Sequence, residues 1–592
     1  MKATYLYGLT AIATALTTTA CEDMFGDFLD KQPSNELTEE DVFSDWTNVE
    51  QFHYDTYNFI KHGAARINSS WLDAATDLAE TSFATGGTRT TFNIGNYYGS
   101  GGNNELTDTW ESRYRGIRKC NMVITKIADV PRALDISEEK FTADTARIVA
   151  EAHFFRAYFY WELFLRYGAV PIVTEVLDPD GDLLTNYTER PTLKDYVVNF
   201  ILKELEQCEP KLYDYTNAWE SNNAGRVSQP AARALRSRIM LYMASPRYTA
   251  ESGITWQQAA DMAKSFIDDY GENFALMTDN SDGVAAYTNA WLRTTYTGEN
   301  HEVIFFRNDG TIGWSSISVD TPVGEGGSGG NCPSQNLVDM YDMIDGTSPF
   351  AEYDATGAPV YDTNGNPTIN TASGYTDATM WQNRDGRLAA TVLYHGCVWG
   401  ELTDTKSNVI NVILGQRDNP IGNANATPTG YYMCKYIPES ILSSNHAGSA
   451  YRQWTLFRYA EIMLNYAEAL NEVNGPCAEV YDMLDQIRSR AGITGSVADR
   501  TDLTSSKEAM RNFIHKERTI ELAFEEHRAW DVRRWGVATE ALARPIYGIS
   551  VDAQGKISRK VAQTRTFEDK MYLYPIPEAE VWKTNIENNP GW

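Results

Sequence analysis

The sequence predicts a mainly α protein: a tetratricopeptide-like scaffold of paired helices carrying a loop-rich insert with short strands. Three observations lead there. Apolar residues recur at helical spacing through the N-terminal half and again after residue 450. Between these two runs, over roughly 275–450, Gly, Asn, Thr and Ser rise and the apolar runs shorten. At 592 residues the chain exceeds the usual single-core domain, so two to four packing units or an extended helical array are expected. No clean 34-residue repeat is visible, so the helical pairs are read from their similar lengths.

In chain order, residues 1–20 read as an export signal. Lys2 is followed by a mostly apolar run from Tyr5 to Leu16, too short to span a bilayer, and then by Thr17, Thr18, Thr19 and Ala20. Cys21 stands where a lipoprotein signal would be cleaved, with lipid expected on its sulfur and its new amino group. The scaffold is expected over 21–274. Thr38-Glu39-Glu40-Asp41 looks like a capped helix start, with apolar Val42, Phe43, Trp46, Val49 and Phe52 behind it. Further helices are predicted over 105–129, 139–167, 192–207, 228–244 and 256–269. The second of these is aromatic almost all round (Phe154, Phe155, Tyr158, Phe159, Tyr160, Trp161, Phe164), as a helix buried on most faces would be, and Gly168 and Pro171 end it. In the insert, 275–450, Val303-Ile304-Phe305-Phe306 reads as a strand and Gly324 to Gly330 as a loop. Asp362-Thr363-Asn364-Gly365-Asn366 reads as a hairpin turn. A C-terminal helical return, 451–592, holds helices over 453–473, 477–490 and 505–534.

Acidic residues outnumber basic ones 80 to 51, a net charge of −29, which repels a phosphate backbone and argues against nucleic acid as a partner. The cysteines beyond Cys21 (Cys120, Cys208, Cys332, Cys397, Cys434 and Cys477) are widely spaced and contain no C-x-x-C, which supports neither a zinc site nor a disulfide framework. No nucleophile elbow, zincin, Walker A or dinucleotide-binding motif occurs, and His301-Glu302 lacks a second His. The Gly of the 362–366 turn comes too early for an EF-hand. No cofactor is expected, and structural calcium among the acidic loops stays an open alternative. In 517–534, Glu517, Glu521 and Glu525 are four apart, and Arg518, Arg528, Arg533 and Arg534 are available to pair with carboxylates, which reads as salt-bridged scaffold.

Several segments together resemble the SusD/RagB family of nutrient-binding outer-membrane lipoproteins. They begin with Cys21-Glu22-Asp23 followed by Phe28-Leu29-Asp30 and Pro33. Next come Glu151-Ala152-His153-Phe154-Phe155-Arg156-Ala157 through Gly168-Ala169-Val170-Pro171, Arg226-Val227-Ser228 before Ala231-Ala232, and Asn383-Arg384-Asp385-Gly386-Arg387. The C-terminal third is the most specific: Arg458-Tyr459-Ala460-Glu461-Ile462-Met463-Leu464-Asn465-Tyr466-Ala467-Glu468-Ala469, then Ile487-Arg488-Ser489-Arg490-Ala491-Gly492. Glu517-Arg518, Glu521-Leu522 and Glu525 lead to Arg528-Ala529-Trp530-Asp531-Val532-Arg533-Arg534-Trp535-Gly536. Leu573-Tyr574-Pro575-Ile576-Pro577 and Asn589-Pro590-Gly591-Trp592 close the set. The blocks run in the family's order along essentially the whole chain.

The resemblance implies a non-catalytic protein that captures oligosaccharide or polysaccharide at the cell surface. It would deliver its ligand to a SusC-like TonB-dependent transporter and be held at the outer membrane by lipid on Cys21. Recognition would stack sugar C–H faces on Trp and Tyr and hydrogen-bond hydroxyls to Asn, Asp, Gln and Arg. The resemblance places such a platform on loops after the first helices and in the insert. The candidates in 66–104 are Trp71, Tyr97 and Tyr98 with Asp73, Arg89, Asn93 and Asn96. Those in 287–316 are Tyr287, Trp291, Tyr296 and Trp314 with Arg293. Arg384, Arg387, Trp530 and Trp535 read as scaffold. A surface glycoside hydrolase with a carboxylate pair in one cleft, and a peptide-binding uptake lipoprotein of the same architecture, are the alternatives.

Overall fold

The computed structural model describes residues 38–99, 104–178, 181, 187–215, 223–278, 287–288, 301–404 and 406–592. The expectations for residues 1–20 and Cys21, and for Trp291, Arg293 and Tyr296, lie outside them. The helices that build the scaffold are α1 (Glu39–Phe43), α2 (Trp46–Tyr54), α3 (Thr109–Lys126), α4 (Glu138–Tyr167), α5 (Leu202–Cys208), α6 (Gln229–Ala244), α7 (Trp256–Tyr270), α8 (Tyr459–Asn474), α9 (Ala478–Arg490), α10 (Lys507–Glu521) and α11 (Arg528–Arg534). Helices pack as neighbours along the chain, α3 on α4 and α6 on α7. The C-terminal return closes the scaffold by laying α8 on α6 and α7 and then α10 on α8. The fold is thus the mainly α, tetratricopeptide-like scaffold expected from the sequence.

Local chemistry explains the ends of these helices. Thr38 and Asp41 form a full capping box at α1, but Asp45 caps a second start, so the run through Phe52 is two helices. α4 starts at Ser137, whose hydroxyl accepts from the Lys140 amide, and ends at Gly168, whose φ of 74° most side chains would resist. Its aromatic residues from Phe154 to Tyr167 are buried on every face. Thr255 and Gln258 cap α7 in the same reciprocal way as the α1 box.

Two corrections concern the C-terminal return. Residues 450–458 form a strand, not the start of a helix. They are β6 (Ala450–Arg458), antiparallel to β2 (Val303–Ile312), with Ile312 opposite Ala450 and Val303 opposite Arg458. The 505–534 run is broken after Glu521. Phe524 and Glu526 take left-handed φ values of 62° and 65°, and α11 begins only at Arg528. The other strands are short: β1 (Ala79–Thr81) pairs β3 (Asn331–Pro333), β4 (Val392–Leu393) pairs β5 (Tyr432–Met433), and β7 (Ile546–Val551) pairs β8 (Ile557–Gln563).

Two hydrophobic cores result. One lies among the scaffold helices. The other fills the insert and takes in Trp71, Trp454, Ile520 and Phe524 from outside it. A buried charge network lies where the elements of both meet. Arg458, the last residue of β6, reaches Glu302, Glu521 and Glu525, each at 2.7 Å. Arg387 pairs with Asp385, Glu517 and Glu521, Arg490 with Glu302 and Glu521, and Lys435 with Glu525. Arg518, Arg528 and Arg534 pair with Asp531, Asp77 and Glu468. The Arg cations hold Glu521 far below the ordinary carboxylate range against the cost of burial. Arg384 is buried and donates to the Val338 and Tyr341 carbonyls. Trp530 and Trp535 are buried too.

The 362–366 segment is a tight turn. The Asp362 carboxylate accepts from the Asn364 and Asn366 amides, and Gly365 has φ 80°. The same geometry recurs at Asp552 and Gly555, and at Asp354 and Gly357 with Thr356 as donor. Each Asp therefore caps its own loop. Among the described residues no three His, Cys, Asp or Glu side chains converge on a metal position, and no helix is long and apolar enough to cross a membrane.

Candidate functional site

Residues of both regions expected to carry ligand contacts, Ser69 from one and Ile312 and Ser316 from the other, line one cleft, but none of the individual candidates named for it does. A surface cleft of about 350 Å³ lies between the loop after α2 and the segment after β2. His62, Ala64 and Ser69 line one side, and Ile312, Ser316, Val319 and Asp320 the other. Arg452 of β6 closes the end. Strand pairing explains the last contribution: Gly310 stands opposite Arg452, so the β2–β6 ladder carries this cation to the insert's edge.

Beneath the cleft is a closed aromatic box. Trp71 packs edge-on to Trp454 with centroids 5.1 Å apart, and Tyr436 lies 5.4 Å from Trp71 and 4.9 Å from Trp454. Trp454 reaches its place because Gly63 has no side chain; a Cβ there would lie 1.8 Å from the indole. The Trp71 indole N–H donates to Asp320 Oδ2 at 2.9 Å, and Asn331 donates to Oδ1 through its backbone and its side chain. Burial raises the Asp320 pKa, and these three donors oppose the rise. Arg452 Nη2 lies 3.4 Å from His62 Nε2, and the Ala64 amide donates to His62 Nδ1. The cleft is thus lined by the His62 imidazole, two exposed serines and apolar Ala64, Ile312 and Val319, with Asp320 and Arg452 nearly buried in its wall. Such a mixture suits a polyhydroxylated ligand.

The candidates named from sequence separate in space. Trp314 opens a short helix between the cleft residues Ile312 and Ser316 and is half-buried at the surface, its ring stacked on His446. Trp71 is 1% exposed and belongs to the box, so it offers no ring face to a ligand. Asp73 is buried and accepts from the Phe524 amide at 3.1 Å. Asn93 is buried, its amide 3.2 Å from both Glu80 oxygens, and Arg89 lies 3.5 Å from the same carboxylate. Tyr97 is buried between Phe92, Tyr574 and Trp592, whereas Asn96 and Tyr98 are exposed beside it. The 93–99 segment runs along the C-terminal tail, with the Glu578 amide on the Gly99 carbonyl and the Thr566 amide on that of Asn93. Tyr287 is fully buried and donates to the Glu521 carbonyl at 2.7 Å. The expected platform of exposed rings at Trp71, Tyr97 and Tyr287 is therefore corrected. The sequence reading passed over His62, Ser69, Ser316, Asp320, His446 and Arg452. The alternating pattern Tyr451-Arg452-Gln453-Trp454-Thr455 was the available signal for the last of these.

The carboxylate-rich stretch at 517–525 is sealed in ion pairs away from this cleft. The six cysteines from Cys120 to Cys477 are all free thiols.

Comparison with known proteins agrees with this architecture. A family model described as "SusD family" matches residues 273–592, and one described as "Starch-binding associating with outer membrane" matches residues 27–241. SusD-like protein P25 of Formosa agariphila is 24% identical over 444 residues, 74% of this chain and 71% of its own length. SusD-like protein P2 of the same organism is 27% identical over 165 residues, only 27% of this chain and 30% of that relative. A crystal structure of a SusD-like protein from Bacteroides fragilis superposes with a TM-score of 0.75 at 26% identity, covering 95% of this chain and 100% of that one. The first family model alone spans more than half of the sequence and takes in β2, the insert, β6 and the whole helical return; the chain belongs to the SusD family.

Proposed function

We propose that this protein is a non-catalytic cell-surface receptor for oligosaccharide or polysaccharide. It is tethered to the outer membrane by lipid on Cys21 and hands its ligand to a SusC-like TonB-dependent transporter. The observation that carries the reading is the cleft between His62 and Arg452, with the partly buried Trp314 standing in the chain between its lining residues Ile312 and Ser316. A ring face and a ring of donors and acceptors are what a sugar requires, and an unpaired buried polar group discriminates between sugars at roughly 1–3 kcal/mol each. The family description, starch-binding and outer-membrane-associating, supports the same chemistry and place. The buried ion pairs of Glu517, Glu521 and Glu525 leave no acid–base pair in the cleft from this helix, which supports binding without hydrolysis.

Affinity electrophoresis against a panel of polysaccharides, with a peptide library and a reducing-sugar assay beside it, tests the reading. The wild type is expected to be retained by a subset of glycans, to release no reducing sugar and to ignore the peptides. Trp314→Ala is expected to weaken retention roughly 3- to 10-fold, the worth of one aromatic contact, without loss of fold. Unchanged retention in Trp314→Ala would remove the site assignment. Cys21→Ala is expected to move the protein out of the membrane fraction; a variant that stays there would remove the lipid anchor.

A further inference from the structure

We propose that His446 sets the affinity and selectivity of this site by occupying a Trp314 ring face on which a sugar would stack. This inference rests on the glycan-binding reading above. The His446 imidazole lies over the Trp314 indole with ring centroids 3.7 Å apart and planes 7° from parallel. That is the place and tilt at which the flat C–H face of a pyranose would stack. The imidazole is therefore a resident occupant that any ligand using this face has to displace.

The backbone that presents it is strained. Ser444, Asn445 and His446 are consecutive non-glycine residues in the left-handed region, with φ of 54°, 56° and 67°. Each brings a Cβ close to the following carbonyl oxygen, and three in succession are uncommon unless their surroundings hold them. One such hold is visible: the Ser444 amide donates to Glu401 Oε1 at 2.9 Å. Gly326 adjoins both rings, where even an added Cβ would sit only 3.5 Å from His446 and 4.0 Å from Trp314; no side chain covers the stack from that direction. A covering ring on a strained loop, with only the Gly326 backbone and no side chain against its edge, is arranged to give way. Sugars with a broad unbroken C–H face replace the lost stacking, and those with axial hydroxyls on both faces do not. His446 thereby filters ligands by the shape of the face they offer.

The full mature chain tests this as wild type, His446→Ala, Ser444→Gly and Trp314→Ala, run on the same polysaccharide panel. Removing the imidazole is expected to strengthen retention about 2- to 12-fold, the range of one aromatic pair, and to extend it to glycans the wild type binds weakly. Ser444→Gly relaxes the loop with its imidazole in place and is expected to weaken retention. In the wild type, a bound polysaccharide is expected to raise diethylpyrocarbonate labelling of His446, read by peptide mass spectrometry, while protecting Trp314 from oxidation. If His446→Ala binds equally or less well while Trp314→Ala loses retention, this inference is overturned and the glycan site stands. If Trp314→Ala binds as the wild type does, or no glycan retains either protein, both readings fall together.

Discussion

Asp73 and Trp71, two residues apart, show how far a side chain's chemistry depends on where the fold puts it. Burial pushes the Asp73 carboxyl up to about 7, against the stabilising Phe524 amide. Its folded pKa thus lies above its unfolded value near 3.8. Between those values the native state binds the extra proton, so the contribution of Asp73 to stability is greatest below about pH 4 and is lost as pH rises toward 7. A shift of this size is worth on the order of a few kcal/mol. Asp73→Asn is expected to flatten the pH dependence between 4 and 7 and to raise stability at pH 8, as urea midpoints across that range would report. A variant with the wild-type slope would refute the assignment. Trp71 illustrates the opposite error, a ring read as ligand platform that serves as core. Trp71→Ala is expected to lower stability by about 3–5 kcal/mol through a cavity among Trp454, Tyr436 and Phe524. A melting curve separates that loss from the much smaller one expected of Trp314→Ala, whose ring is only partly buried against the insert core.

The elements that local sequence determines are the ones it foretells. The all-round aromatic α4 and the capping box at Thr38 depend on residues within a few positions of each other. The break after Glu521 does not. Leu522-Ala523-Phe524-Glu525-Glu526 contains good helix formers and neither Gly nor Pro. What unwinds it is tertiary: Phe524 enters the insert core, and its amide meets Asp73, 451 positions earlier in the chain. β6 carries an alternating pattern, but 453–473 reads as a helix from sequence, because the strand takes its identity from β2, some 150 residues upstream. The cleft inherits this dependence: Trp314 could be named from its own segment, whereas Arg452 and His62 join it only through that ladder and the Gly63 contact. Arg458 ends β6 and precedes α8, so it ties both elements to Glu302, Glu521 and Glu525. Arg458→Met leaves three buried carboxylates short of a cation and is expected to cost about 3–5 kcal/mol. Arg115→Met, from an exposed pair with Glu111 at 3.9 Å, is expected to leave chemical denaturation unchanged. Equal effects of the two would mean that the buried network is energetically idle.

For the whole molecule, a net charge of −29 coexists with many carboxylates committed to buried pairs in and between the cores; each pair withdraws an acid and a base together, so the acidic excess stays largely outside them. Glu151, Glu162 and Glu468 in the scaffold and Asp342 in the insert are each held down to about 2, against burial, by neighbouring cations such as Arg226, Arg166, Arg534 and Lys516. Their unfolded values lie near 4 to 4.5. Below those values the unfolded chain takes up protons that the folded one refuses. The stability these groups supply is therefore complete above about pH 5 and drains away as pH falls toward 2. Since the cation partners stay charged throughout, protonation leaves buried guanidinium groups without counter-ions, and repulsion among them adds to the loss. Asp73, Asp320, Asp418 and Glu50, which burial raises, run the other way, and the carboxylates held down by cations outnumber them among the described residues. Acid unfolding is accordingly expected to begin below about pH 4.5 and to be steep in proton uptake. Both cores should go together, because Arg458, Glu302 and Glu521 belong to the joint rather than to either side. Near-ultraviolet circular dichroism, which the many packed rings make sensitive, and potentiometric titration of the native and acid forms would follow the two quantities. A chain that keeps its tertiary signal unchanged down to pH 2, or loses it in two well-separated steps, would show that the buried pairs neither hold the cores nor couple them.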